Sequence, residues 1–341
     1  MTMIQADDLT RTFRVGKETV EAVRGLDLRV DDGELVAFLG PNGAGKSTSL
    51  RMLTTLLAPT SGTATVAGHD VRSEPQRVRE RIGYVGQGHG AADDQRARDE
   101  LITQGRAYGL GRDEAAHRAD ALLASLELTP LAKRTANTLS GGQRRRLDIA
   151  IGMVHQPQLL FLDEPSTGLD PQSRANLWAH LVRLREANGT TIFLTTHYLD
   201  EADAMAERVL IIDAGRVIAD GTPETLKTRM AGDLVTVAID DPRRAGEAAR
   251  LAEGVAASTE VEIEGDVVRL RTTRGAAAMP TILRALDGAG LVVTSAEVRR
   301  PTLDDVFLEL TGRSLRDAGD IPAGALEAEP EPEIAFTEEA A

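Results

Sequence analysis

The sequence contains no cysteine, which excludes disulfides and cysteine-ligated metal sites and removes any mark of an oxidising compartment. Aromatic residues are scarce at 3%, so the 42% hydrophobic content, ample for a packed core, is largely aliphatic. No apolar run approaches the roughly 18–20 residues that a membrane-spanning helix needs. The first residues, MTMIQADDLTRTF, carry no basic-then-apolar leader pattern, and a cytoplasmic protein is the simplest expectation. The six histidines are scattered, with no pair at metal-ligand spacing. Positive charge is in deficit too: a net charge of −14 argues against a general affinity for nucleic acid, so no nucleic-acid partner is expected. That charge is uneven. Residues 317–341 hold eight acidic side chains and no Lys or Arg, which leaves about −6 for the rest. This end reads as a disordered acidic tail, either a partner-binding element or a solubilising one.

What is present is organised. A length of 341 residues suggests two domains. Over 1–40, the runs ADDLTRTFRV, TVEAVRGLDLRV and ELVAFLG predict strands separated by Gly and Asp turns. KSTSLRMLTTLL predicts a helix ending before Pro59, and TATVAGHDV a hairpin. Helical spacing runs from about 93 to 138 and again over 141–155. A buried strand QLLFLDEP follows, then a helix at 172–187, strand TTIFLTT, a short helix at 198–206 and strand RVLIIDAG. This alternation predicts a mainly parallel sheet covered by helices. A second unit starts near 231–233 with the order β-α-β-β-α-β, as in a ferredoxin-like sandwich. PTLDDVFLELTG predicts one more helix after it.

Gly40-Pro41-Asn42-Gly43-Ala44-Gly45-Lys46-Ser47 fits G-x-x-x-x-G-K-[ST] in full, between a predicted strand and a predicted helix. Glycines let the backbone wrap phosphate oxygens with its N–H groups, and the helix start adds a positive dipole end. Lys46 would reach the β- and γ-phosphates, and the Ser47 hydroxyl would ligate Mg²⁺. A chance Gly-rich turn would not also carry the strand–loop–helix context. Leu159-Leu160-Phe161-Leu162-Asp163-Glu164 is an apolar strand ending in two acids, at the strand end where α/β sheets place ligands. Asp163 would hold Mg²⁺, and Glu164 would polarise the attacking water as a general base. Read alone, the acids could simply cap a turn. Leu139-Ser140-Gly141-Gly142-Gln143 combines an N-capping serine with two glycines that expose a helix start, an anion site on a chain that already has one. By itself this string could equally be a plain capped helix.

LSGGQ lying 23 residues before Asp163, after GPNGAGKST, resembles the ABC ATPase family. The resemblance implies that Ser140, Gly141, Gly142 and Gln143 cover the γ-phosphate held by a second subunit, so the working unit is a homodimer. It implies ATP contacts from the phosphate loop, including Thr48, and adenine stacking on Phe13, where relatives usually have Tyr. Gln87 in RIGYVGQ matches the glutamine that touches Mg²⁺. Asp170, in Ser166-Thr167-Gly168-Leu169-Asp170, matches the loop between protomers, and His197 in LTTHYLDEA the switch histidine that contacts the γ-phosphate. The implied fold is an α/β P-loop NTPase domain over 1–230, with a RecA-like core, an N-terminal antiparallel β subdomain and a helical subdomain at about 88–155. An α+β ferredoxin-like accessory domain at 231–312 and the tail at 313–341 follow.

GTATVAGHDV, SGGQRRRLDIA and TLDDVFLELTG are similar to the daunorubicin/doxorubicin-resistance type of ATP-binding subunit. This implies a peripheral protein on the cytoplasmic face of the membrane, powering a separate permease that exports a hydrophobic drug or antibiotic. Lipid or polysaccharide export is the alternative cargo reading. DDQRARDEL lacks the LTGxENL wording of relatives, in a region that faces the membrane partner in the family. Arg144-Arg145-Arg146 is expected to form a solvated, phosphate-side face of the signature helix. A soluble regulator of DNA or ribosomes is the competing class, disfavoured by the single cassette, the charge and the span of only about 70 residues between Gln87 and Leu159.

Overall fold

A computed structural model of the chain describes residues 1–228, 232–256 and 260–314. β1 (Thr2–Val15) and β2 (Glu18–Asp31) form a long antiparallel ribbon. Leu26, Leu28 and Val30 point inward while Asp27 and Arg29 face out, the period-2 pattern of a strand with one wet face. β3 (Leu35–Leu39) is buried throughout and leads to α1 (Lys46–Leu53). β4 (Ser61–Val66) and β5 (His69–Asp70) complete a four-stranded sheet in the order β2-β1-β4-β5. α1 is shorter than its sequence suggests. The Thr54 hydroxyl donates back to Leu50 O at 2.9 Å and Thr55 adopts φ 64°, which stops the helix before Leu57.

α2 (Pro75–Arg81) and β6 (Ile82–Val85) were not foreseen, because PQRVRER buries only Val78 and so carries no apolar period. α3 (Ala97–Ala107), α4 (Arg112–Ser125) and α5 (Gly141–Met153) make up the helical region expected near 88–155. There follow β7 (Leu159–Asp163), α6 (Pro171–Asn188), β8 (Thr191–Thr196), α7 (Leu199–Met205), β9 (Arg208–Asp213), β10 (Arg216–Gly221) and α8 (Pro223–Leu226). The central sheet runs β10-β9-β3-β8-β7-β6, parallel except for the edge strand β10, which the sequence reading also lacked.

Both faces of that sheet are covered, which is why its strands read as unbroken apolar runs. Leu35, Ala37, Leu160, Leu162 and Leu194 join the core under the helices. Val36, Phe38, Phe161 and Phe193 join the core shared with α1 and the N-terminal sheet. The phosphate loop, the end of β7 and the end of β8 therefore open at one edge of a doubly buried sheet.

β11 (Asp233–Ile239), α9 (Ala245–Ala256), β12 (Glu260–Glu264), β13 (Val267–Thr272), α10 (Gly275–Gly288) and β14 (Val293–Arg299) form the second unit. Its antiparallel order, β12-β13-β11-β14, is the ferredoxin-like arrangement expected from the element order. α11 (Leu303–Thr311) then returns to the first domain: Leu303, Val306 and Phe307 are fully buried in the core that contains Ala202, Ala206 and Leu226. Arg313 adds an ion pair to Asp213 at 2.8 Å. The domain boundary at 230/231 and the acidic tail beyond Ser314 lie outside the described residues. Among the described residues no helix is long and apolar enough to cross a membrane.

Candidate nucleotide site

Gly40 leaves β3 so close to β9 that an added Cβ would stand 2.3 Å from Ile212 O. Gly45 has φ +104° and would bring a Cβ within 2.5 Å of Ala22 O on β2. Both positions therefore need glycine. With Gly45 as its N-cap, α1 begins without a side-chain cap, so its first N–H groups stay free for an anion. The Lys46 side chain folds back over the loop: Nζ donates to Gly40 O at 2.8 Å and Pro41 O at 3.1 Å. It also lies 3.3 Å from Glu164 Oε1. Burial lowers the Lys46 pKa, and the Glu164 charge opposes that shift.

β7 ends beside the start of α1. Asp163 Oδ1 accepts from Ser47 Oγ at 3.1 Å and from Thr195 Oγ1 at 2.6 Å, while Gln87 Nε2 donates to Ser47 Oγ at 3.3 Å. Burial raises the Asp163 pKa against those two hydrogen bonds. Ser47, Asp163 and Gln87 thus converge as hard oxygen-bearing groups, a donor set that fits Mg²⁺. Glu164 sits in a left-handed backbone, φ 45°, which turns its side chain toward the phosphate loop. His197 Nδ1 lies 3.2 Å from Glu164 Oε2, out of line for a hydrogen bond, and Thr167 Oγ1 donates to the same oxygen at 3.3 Å. Burial alone would raise the Glu164 pKa. The contact with His197 and the Lys46 cation overcome it and hold the carboxyl at about 2.

The signature residues are built differently. Ser140 caps α5: Gln143 N donates to Ser140 Oγ at 3.4 Å, and Ser140 N donates back to Gln143 Oε1 at 3.0 Å. Ser140 and Gly141 are exposed. Gly142 packs against α6, where a Cβ would be 2.9 Å from Ser173 Oγ. Asp170 caps α6 through Ser173 N at 2.9 Å, which places it beside the signature. Among the described residues, no hydrogen bond or ion pair joins residues 140–143 to the phosphate loop. Phe13 pairs with Val20 across β1 and β2, and the Arg11 guanidinium lies 4.5 Å over its ring. Arg11 in turn pairs with Val23, whose side chain borders Gly45, so Phe13 stands one pleat from the loop.

One expectation is corrected. Arg144, Arg145 and Arg146 are not a solvated face. Arg145 is buried and bonded to three backbone carbonyls, Arg144 pairs with Asp93, and Arg146 donates to Leu126 O at 3.1 Å. The helix meets neighbouring segments on the sides that carry them. Sequence reasoning also did not single out Thr195, which both bonds Asp163 and accepts from Glu164 N at 2.9 Å. A polar Thr-Thr pair closing a buried strand just before His197 was the available signal.

The chain matches the family model described as "ABC transporter" over residues 23–167, and the "ATP-binding protein DrrA1-3-like, C-terminal domain" over residues 221–311. It is 45% identical over 299 residues to the daunorubicin resistance ATP-binding protein DrrA3 of Streptomyces coeruleorubidus, covering 87% of this chain and 93% of that one. It is 34% identical to the linearmycin resistance ATP-binding protein LnrL of Bacillus subtilis, covering 92% of this chain and all of that one. Among solved structures it is similar to a dimeric ATP-binding cassette in a post-hydrolysis state bound to ADP and Pi. The TM-score is 0.60 at 27% identity, over 64% of this chain and 98% of that one.

Proposed function

Because the chain belongs to the ABC transporter family of ATP-binding proteins, we propose that it powers a drug or antibiotic exporter, with each ATP site completed by a second copy. The observation that carries this reading is the gathering of Lys46, Ser47, Gln87, Asp163, Glu164 and His197 at one sheet edge, apart from the exposed helix start at Ser140. One half-site holds a nucleotide, and the other is available to a partner's.

The geometry suggests how the chemistry is switched on. Without nucleotide, Lys46 neutralises Glu164, and a carboxylate with a pKa of about 2 is a poor base. The β- and γ-phosphates of ATP are a stronger partner for Lys46, over uncapped N–H groups of the same loop. Once Lys46 turns to them, Glu164 keeps the His197 contact but loses the Lys46 cation, the second influence that depresses its pKa, so it becomes a better base and can take a proton from water. That water attacks the γ-phosphorus, the bond to the bridging oxygen breaks, and ADP and phosphate result. Ser47, Gln87 and Asp163 would hold Mg²⁺, which neutralises charge on the phosphate oxygens when bound. His197 would contact the γ-phosphate from the other side of Glu164, and Phe13 would stack on adenine.

The proposed assembly is a homodimer on the cytoplasmic face of the membrane, seated on a separate integral permease. Two relatives named for daunorubicin and linearmycin resistance support a hydrophobic drug as cargo. Glu164→Gln should trap an ATP-bound dimer, read by size-exclusion chromatography with and without ATP; normal turnover in that variant would sink the assignment. Co-expression with a membrane protein that co-purifies with it should lower cellular accumulation of an anthracycline-like compound. No change across a drug panel would overturn the cargo reading and leave the ATPase one standing.

A further inference from the structure

The most unusual buried charge in the molecule is Arg145, on the helix that the signature begins. It is 5% exposed, and no carboxylate lies within ion-pair distance of it among the described residues. Burying an unpaired cation is costly unless its donors are used. Here each of its three nitrogens donates, and to backbone. Nε donates to Pro165 O at 2.9 Å, Nη2 to Asp163 O at 3.0 Å and Nη1 to Gly86 O at 2.6 Å. Asp163 and Pro165 flank Glu164, and Gly86 precedes Gln87. One planar guanidinium therefore holds the carbonyls of the residues on both sides of the candidate base and the entrance to the Gln87 loop.

The exit of that loop is held from the same helix. Asp148, three residues along and so on the same side of α5, accepts from Gly90 N at 3.0 Å and Ala91 N at 3.2 Å. Residues 86–91 are thus gripped at one end by a donor and at the other by an acceptor. Glu164 needs such a grip, because its φ of 45° is a conformation that a non-glycine residue keeps only when its surroundings impose it. Its own N–H is already taken by Thr195. A lysine could replace the charge of Arg145 but not its three-way, in-plane reach.

We propose that Arg145 is a positioning residue through which the signature helix sets the backbone of Glu164 and the Gln87 loop in its own chain. Since α5 begins at the surface that would cover the partner's nucleotide, the same guanidinium links the two half-sites of one chain. The inference rests on the proposed role of Glu164. It adds a residue that touches neither nucleotide nor water.

The test uses the full chain with Mg²⁺ and ATP, comparing wild type, Arg145→Lys, Arg145→Gln, Glu164→Gln and the Arg145→Gln/Glu164→Gln double variant. Arg145→Gln should lower kcat at least about 20-fold, while KM and the affinity for a fluorescent ATP analogue change less than about 3-fold. Arg145→Lys should recover only part of the loss. In single-turnover assays, Arg145→Gln should cost less than about 3-fold once Glu164 is already Gln, because its effect on turnover runs through the placement of Glu164, the Gln87 loop still being held at its other end by Asp148. Multiplying losses in the double variant would overturn the proposal, as would a folded Arg145→Lys protein with wild-type kcat. The lysine variant keeps the question answerable if the glutamine variant fails to fold. If Glu164→Gln itself hydrolyses ATP normally, the reading of the site fails. A dead Glu164→Gln beside fully active Arg145 variants defeats only this inference.

Discussion

The two candidate anion-binding helix starts of this chain, at Lys46 and at Gly141, are finished to different degrees. Around Lys46, itself buried, the side chains are spoken for, by Glu164, Asp163, Thr195, Gln87 and two loop carbonyls. Around Gly141 the capping bonds close within one turn, between Ser140 and Gln143, and the surface beyond is open. The first is a set of side chains already bonded to one another around a buried lysine. The second, on the proposed reading, is a docking face made of backbone. On the proposed reading, one type of motif, a glycine-rich helix start, serves binding in one place and completion of another chain's site elsewhere.

The comparison can be broken most severely at its two centres. Lys46→Ala should reduce ATP hydrolysis at least about 1,000-fold and weaken nucleotide binding, measured by turnover and by a fluorescent analogue. Gly141→Asp should cost about 100-fold or more in hydrolysis yet leave binding to the isolated chain unchanged. It should also fold well, because a Cβ at Gly141 meets only Leu169 Cδ2 at 3.9 Å and an acid suits the first turn of a helix. Loss of nucleotide binding in that variant would erase the distinction between the two faces.

A smaller effect is expected at Thr195. Thr195→Val keeps the shape but removes the donor to Asp163 and the acceptor for Glu164 N–H, leaving a buried N–H unpaired. The expected cost is about 1–3 kcal/mol of stability, read by denaturant titration, with about a 10-fold drop in kcat. An equivalent substitution at the exposed signature should cost little stability, since water can replace what is lost.

The smallest effect is a pH dependence. The folded pKa of Glu164, about 2, lies below its ordinary value of 4.5, so its ionisation stabilises the nucleotide-free fold above pH 4.5. That contribution is lost as pH falls from 4.5 toward 2. The gap in melting temperature between wild type and Glu164→Gln should therefore be widest near neutrality and shrink over that window. A gap independent of pH would mean that neither the His197 contact nor the Lys46 pairing stabilises the free chain.

Much of this was legible before any coordinates. The phosphate loop, the strand ending in Asp163 and Glu164, the β-α-β-β-α-β order and the returning helix at 303–311 all have local signals: glycines at fixed offsets, an apolar run with terminal acids, a Pro-Thr start. What stayed hidden depended on contacts distant in sequence. α2 and β6 lacked periodicity because one is nearly all polar and the other is a four-residue edge strand. Arg145 looked like one of three exposed cations, since nothing local says that Gly86, Asp163 and Pro165 will turn their carbonyls toward it. Shortening of α1 turned on one hydroxyl at Thr54, below the resolution of any propensity argument.

The central claim, that each ATP site combines the phosphate loop of one copy with the signature of another, is tested most directly by mixing two inactive chains. Lys46→Ala and Gly141→Asp proteins, each without measurable ATPase activity, are combined at micromolar concentration with Mg²⁺ and ATP and assayed for phosphate release. In a mixed dimer, one site receives both defects and the other receives neither. Activity should reappear on mixing, rise with total protein concentration and be greatest near equal amounts of the two chains. Persistent inactivity at every ratio, with both proteins folded and the Gly141→Asp chain still binding nucleotide, would contradict it.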